Sequence, residues 1–253
     1  MPIRIYTPAD LRREPPALVY FHGGGWVVGD LDSSDAFCRL IAGQIPCRVI
    51  SVDYRLAPEH PYPAAVEDAV AAFRWSWQHA DALGIDRRRL AVGGDSAGGN
   101  LAAVVSAELA ASEGRPCAQL LIYPVTSARR DTPSYGHFAR GFLLERDLMD
   151  YFFRHYLGAS GQAGAADDPR VSPLAGDNFQ GLPPTVIATA GFDVLRDEGE
   201  AYAKQLEAAG GTVVHRRYPE LMHSFASMSG LPATRRALDE VISDLATFFH
   251  RLG

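Results

Sequence analysis

The chain predicts an α/β fold in which a mostly parallel central sheet is flanked by helices. Three observations predict it. Apolar runs of strand length alternate along the chain with longer helical runs, the pattern of strands joined by crossover helices. The strand-like runs are apolar almost throughout, as strands covered on both faces are. The 253 residues are 47% apolar and 21% charged, enough to bury one large core, so a single domain over 1–253 is expected.

Taken in order, strands are expected at 3–7 and at 17–21, the second ending on His22-Gly23-Gly24-Gly25-Trp26. A helix at 34–44 leads to a strand at 48–53, and a helix at 64–79 to a strand at 89–93. The run 100–111 contains neither Gly nor Pro and reads as a helix; strand 119–123 follows it. A segment at 127–183 is inserted before the next strand, 185–190. It holds a helix at 146–156 and a small-residue, polar stretch at 158–168, read as a loop. Helix 197–209, strand 212–218 and helix 234–251 complete the alternation, with no internal repeat.

The chemistry concentrates at the ends of these strands. Gly94-Asp95-Ser96-Ala97-Gly98 follows one strand and opens a helix. A serine there sits on a sharp bend that lifts its hydroxyl over the sheet edge at the positive end of a helix dipole. In isolation such a pentapeptide is also an ordinary Gly-rich turn with a capping serine. The His22–Trp26 run adds weight, since glycines leave backbone N–H groups uncovered. Gly23 and Gly24 are expected to point theirs at a developing oxyanion, with Ala97 as the third donor. Each such donor is worth about 3 kcal/mol of transition-state stabilisation. His22 is read as orienting this loop.

A nucleophilic serine needs a carboxylate and a histidine from later strand ends. Asp193 lies just beyond strand 185–190 and His223 follows strand 212–218 after a short loop. Asp197 and Glu198 are rival carboxylates, but they fall at a helix start, where acidic residues commonly complement the dipole. Of the other histidines, His79, His215 and His250 lie in helix, strand and terminus, His60 in a turn, and His137 and His155 in the insertion. The expected triad is Ser96, Asp193 and His223.

Net charge is −6, and the arginines are scattered apart from Arg87–Arg89, which gives no nucleic-acid signature. No stretch approaches the roughly 20 apolar residues of a membrane span, and 1–13 has no apolar core of signal-peptide length, so the expected location is cytoplasmic. Cys38, Cys47 and Cys117 are odd in number and widely spaced, and indicate neither a disulfide framework nor a metal site. No cofactor is called for.

Together with Asp53-Tyr54-Arg55-Leu56-Ala57-Pro58-Glu59 and Asp193-Val194-Leu195-Arg196-Asp197-Glu198, these motifs resemble the hormone-sensitive-lipase-like (bacterial family IV) carboxylesterases. The resemblance runs from about Ile3 to the C-terminus. It implies an α/β-hydrolase fold with hydrolysis of short- to medium-chain acyl esters through an acyl-enzyme, by the triad and donors already named. Amide, carbamate or lactone cleavage by the same triad stays open. So does a non-catalytic small-molecule receptor on this scaffold, although His223, which such receptors lack, is present. Asp95 is implied to support the site, or is simply a turn residue. Glu220 and Ser224 stand where the family usually carries glycine. Members also begin with a helical extension that forms part of a lid, whereas here 2–6 already reads as a strand. The reading is therefore of a partial lid, the insertion 127–183, over an open active site, with Trp26, Phe142 and Leu143 contacting substrate and a homodimer possible.

Overall fold

Alternating runs of apolar and helical sequence assemble into one seven-stranded sheet in the computed structural model, which describes residues 1–9, 11, 14–161 and 164–251. The strands are β1 (Ile3–Tyr6), β2 (Ala17–Phe21), β3 (Arg48–Val52), β4 (Leu90–Asp95), β5 (Gln119–Ile122), β6 (Thr185–Phe192) and β7 (Val213–Met222). Their spatial order is β1-β3-β2-β4-β5-β6-β7, with β1 antiparallel to β3 and every other neighbouring pair parallel. The helices are α1 (Asp35–Gln44), α2 (Ala64–Gln78), α3 (Ala80–Leu83), α4 (Ala97–Leu109), α5 (Pro133–His137), α6 (Arg146–Gly161), α7 (Arg196–Ala208) and α8 (Pro232–Arg251).

Because successive side chains of a strand point to opposite faces, β2 feeds two core layers. Val19 and Phe21 pack with residues of α2, α4 and α7, while Leu18 and Tyr20 pack with α1 and α8. Helix α4 is buried along nearly its whole length, which explains its Ala-rich composition: small side chains let it lie close over the sheet. From β2 the chain moves outward to β3, then returns across β2 to β4, so the direction of winding reverses between β2 and β4. In open α/β sheets a crevice forms at the carboxyl ends of the strands at such a reversal. The loops after β2 and β4 carry His22–Trp26 and Ser96.

Four elements differ from the sequence expectation. Helix α4 begins at Ala97, not Asn100, because Ser96 alone joins strand to helix. Strands β6 and β7 run on to Phe192 and Met222, so His223 follows its strand directly, without the expected loop. The ladder passes a bulge where Ala190 and Phe192 face Tyr218 and Met222. Pro219 sits in that bulge, where a residue without an N–H costs no ladder bond. Within the insertion, α6 continues to Gly161 past a break at Gly158 (φ 64°), where a loop was expected. Residues 162 and 163 of that stretch lie outside the described residues.

Candidate active site

The bend at Ser96 is left-handed, with φ 55° and ψ −118°, a conformation that a serine adopts only where the surroundings hold it. Three contacts do so. The Ser96 N–H donates to the Ile122 carbonyl at 2.9 Å, and the Ser96 carbonyl accepts from Asn100 and Val125 at 3.1 and 3.2 Å. The flanking glycines are required by space: a Cβ at Gly98 would overlap the Phe21 carbonyl, and one at Gly94 the Gly98 carbonyl. The side chain of Asn100 bridges the Val125 and Val171 carbonyls, tying α4 to the segment just before the insertion and to the insertion itself.

Ser96, His223 and Asp193 meet over the carboxyl ends of β4, β7 and β6. His223 Nε2 lies 3.0 Å from Ser96 Oγ, and His223 Nδ1 lies 2.7 Å from Asp193 Oδ2. A carboxylate can only accept, so Nδ1 carries the proton and Nε2 is left to accept from the serine hydroxyl. Asp193 is fully buried, His223 is 4% exposed and Ser96 7% exposed. The second Asp193 oxygen accepts the Leu195 N–H at 2.9 Å, which fixes the carboxylate plane. The imidazole also packs against the ring of Tyr123, 4.6 Å between centroids. The rival carboxylates are engaged elsewhere. Asp197 accepts the Ser134 N–H at 2.8 Å, and the fully buried Glu198 accepts the N–H groups of Thr126 and Ser127 at 2.7 and 3.1 Å. Both therefore hold the start of the insertion; burial pushes the Glu198 carboxyl up to about 8.

The oxyanion loop corrects one expectation. Gly23 does not present its N–H to the cleft, because it donates to Asp95 Oδ1 at 3.0 Å. The N–H groups of Gly24, Gly25 and Ala97 find no acceptor among the described residues. Asp95 also accepts the hydroxyl of buried Tyr20 at 2.7 Å, so one carboxylate clamps the loop after β2 to β4. Burial pushes the Asp95 carboxyl up from the usual carboxylate range, against the pull of the Tyr20 hydroxyl. His22 orients the loop as expected: Nδ1 lies 2.7 Å from the Gly23 carbonyl, and the ring stacks on Tyr54, 4.4 Å away. Burial lowers the His22 pKa, which favours the neutral ring. Gly24 (φ 115°) and Gly25 (φ 61°) are held open by their neighbours, since a Cβ there would overlap the Val28 carbonyl or the Phe152 ring.

A cleft of about 610 Å³ opens in front of Ser96. Of the three expected substrate contacts only Leu143 lines it, with Leu144, Leu148 and Phe152 beside it. Trp26 is instead fully buried, stacked on Tyr156 at 4.2 Å and against Phe153, where it fastens α6 to the oxyanion loop. Phe142 turns away into a cluster with Phe138 and Phe192. Aromatic content alone does not tell a cleft wall from a packing contact; which way each ring points follows from the helix against which it docks. Among the described residues no group of three or more His, Cys, Asp or Glu could hold a metal ion, and no helix is long and apolar enough to cross a membrane.

Comparison with known proteins agrees with this fold. A family model described as alpha/beta hydrolase fold matches residues 18–227. The carboxylic ester hydrolase LipN of Mycobacterium tuberculosis is 48% identical over the whole chain and 68% of its own length. An ethyl acetate hydrolase of Pseudomonas putida is 42% identical over 91% of the chain and 73% of its own length. Among solved structures, a thermostable carboxylesterase cloned from a metagenomic library superposes with a TM-score of 0.92 at 41% identity, over 98% of this chain and 84% of that one. The chain belongs to the α/β-hydrolase family, in its hormone-sensitive-lipase-like branch of carboxylesterases.

Proposed function

We propose that the protein hydrolyses short- to medium-chain carboxylic esters through an acyl-enzyme, with Ser96 as nucleophile, His223 as general base and acid, and Asp193 orienting the imidazole. The observation that carries this reading is the continuous hydrogen-bond line from Asp193 through His223 to Ser96. As Ser96 Oγ attacks the ester carbonyl, Nε2 takes the hydroxyl proton, and buried Asp193 stabilises the imidazolium that forms. The tetrahedral oxyanion rests on the N–H groups of Gly24, Gly25 and Ala97, the last at the positive end of α4. Nε2 then returns its proton to the departing alcohol, and water cleaves the acyl-enzyme by the same steps in reverse.

The size of the cleft and its apolar side, formed by Leu144, Leu148 and Phe152, suit a short or medium acyl chain. At the rim Val28, Leu143 and Leu148 are 53%, 56% and 38% exposed, which supports an open mouth. A homodimer that shields this apolar rim belongs to the same proposal, and light scattering tests it. A cytoplasmic location also does, in keeping with three unpaired cysteines. The decisive experiment is Ser96→Ala with p-nitrophenyl butyrate: turnover falls by at least about 10⁴-fold while the thermal melt is retained. Residual turnover within a hundredfold of the parent protein would refute the assignment.

A further inference from the structure

Building on the ester-hydrolase reading, we infer that the cleft has two arms of unlike chemistry, and that the arm beside His223 selects esters whose alcohol carries a second, free hydroxyl, with Ser224 as the recognising group.

The direction of catalysis assigns the arms. The leaving oxygen takes its proton from His223 Nε2, so the alcohol half of the ester must lie along the wall that continues from His223. The carbonyl oxygen points to Gly24, Gly25 and Ala97, which leaves the acyl half for the side covered by the insertion, where Leu144, Leu148 and Phe152 line the cleft. The alcohol wall is unlike it. Beyond His223 it presents Ser224, Ser227 and Met228, and Ser33 and Ser34 also line the cleft.

Most of these hydroxyls are already committed. Ser33 Oγ donates to the Asp30 carbonyl at 2.6 Å, Ser227 Oγ donates to the Ser224 carbonyl at 2.7 Å, and Ser34 Oγ faces Ser51 Oγ in the core. Ser224 is the exception: its hydroxyl has no hydrogen-bond partner among the described residues, although it borders the cleft directly after the general base. Its backbone is left-handed, φ 60° and ψ 20°, a conformation that glycine adopts freely and serine does not. A strained serine with an unspent donor and acceptor, one residue from the group that protonates the leaving oxygen, is placed to meet a hydroxyl on the neighbouring carbon of the alcohol. Glycol and glycerol monoesters have that hydroxyl; simple alkyl esters do not.

Glycerol monobutyrate and n-propyl butyrate test this, because both alcohols have the same carbon skeleton and both substrates give the same butyryl-enzyme. Deacylation is therefore common to the two, and their kcat/KM ratio reports the acylation step, in which the alcohol is present. The expected ratio favours the glycerol ester about tenfold, the worth of one good hydrogen bond. Ser224→Ala and Ser224→Gly are each expected to lower that ratio about fivefold or more. Ser224→Gly also relieves the left-handed strain, so its melting temperature rises and a lost preference does not reflect misfolding. A parent ratio of one or below, or a ratio that both variants leave unchanged, overturns the inference. If the parent protein neither turns over p-nitrophenyl butyrate nor is labelled at Ser96 by a phosphonate ester, it is the ester-hydrolase reading that fails.

Discussion

Replacing Asp95 by alanine tests whether the oxyanion loop is held by the nucleophile strand. In the native fold this carboxylate accepts two hydrogen bonds, from the Tyr20 hydroxyl at 2.7 Å and the Gly23 N–H at 3.0 Å. Truncation leaves the hydroxyl of fully buried Tyr20 without its acceptor, which costs about 1–3 kcal/mol of stability. It also frees Gly23 from β4, so the adjoining Gly24 and Gly25 N–H groups lose their fixed aim. Loss of one oxyanion donor costs about 10²- to 10³-fold in kcat. Because in the proposed mechanism those donors act on charge that exists only in the transition state, the loss falls on kcat while KM stays near its starting value. Asp95→Asn keeps an acceptor oxygen in the same place and is expected to stay within about tenfold of the parent, since two neutral hydrogen bonds replace two charge-assisted ones. The assay is steady-state hydrolysis of p-nitrophenyl butyrate, paired with a urea melt to show that each variant is folded. A folded Asp95→Ala protein with kcat within threefold of the parent would show that the loop holds its shape without the clamp.

Two further perturbations probe the insertion. Trp26→Ala removes a fully buried ring that stacks on Tyr156, and urea unfolding should show a loss of about 3–5 kcal/mol; a loss below 1 kcal/mol would mean that Trp26 does not fasten α6. Glu198→Gln tests the buried carboxyl whose pKa is pushed from 4.5 to about 8. With the folded-state pKa above the unfolded one, the folded state retains the proton as pH rises, so this contribution to stability is full below about pH 4.5 and is lost as pH approaches 8. Urea melts at pH 5.5 and pH 8 should show the glutamine variant gaining on the parent by about 3 kcal/mol at the higher pH. An unchanged difference would mean that Glu198 is ionised throughout.

The meeting of Ser96, Asp193 and His223 was legible in the sequence because it depends on local context. A serine between a strand and a helix, an aspartate after one late strand and a histidine after the next identify themselves by position, and the structure brings these three together. The choice among the glycines was not legible. Three consecutive residues offer equivalent N–H groups, and only the pairing of Phe21 with Gly94 in adjacent strands, which sets Gly23 beside Asp95, decides that Gly23 is occupied. The aromatic residues failed in the same way. Trp26 and Phe142 share the composition of a pocket wall, yet the first is captured by α6 and the second by Phe138 and Phe192. Glu198 looked like a helix-start charge, and nothing near it in the chain signalled that Thr126 and Ser127 would present their N–H groups to it.

By itself, then, the sequence determined the parallel α/β architecture and the three side chains that line up at its strand ends, because apolar periodicity and residues at strand ends are properties of short segments. The tertiary structure alone decided which amides stay free, which rings face the cleft and which carboxylates hold the insertion. Those outcomes depend on side chains from distant segments competing for the same few hydrogen bonds and the same space, and that competition exists only once the chain has folded.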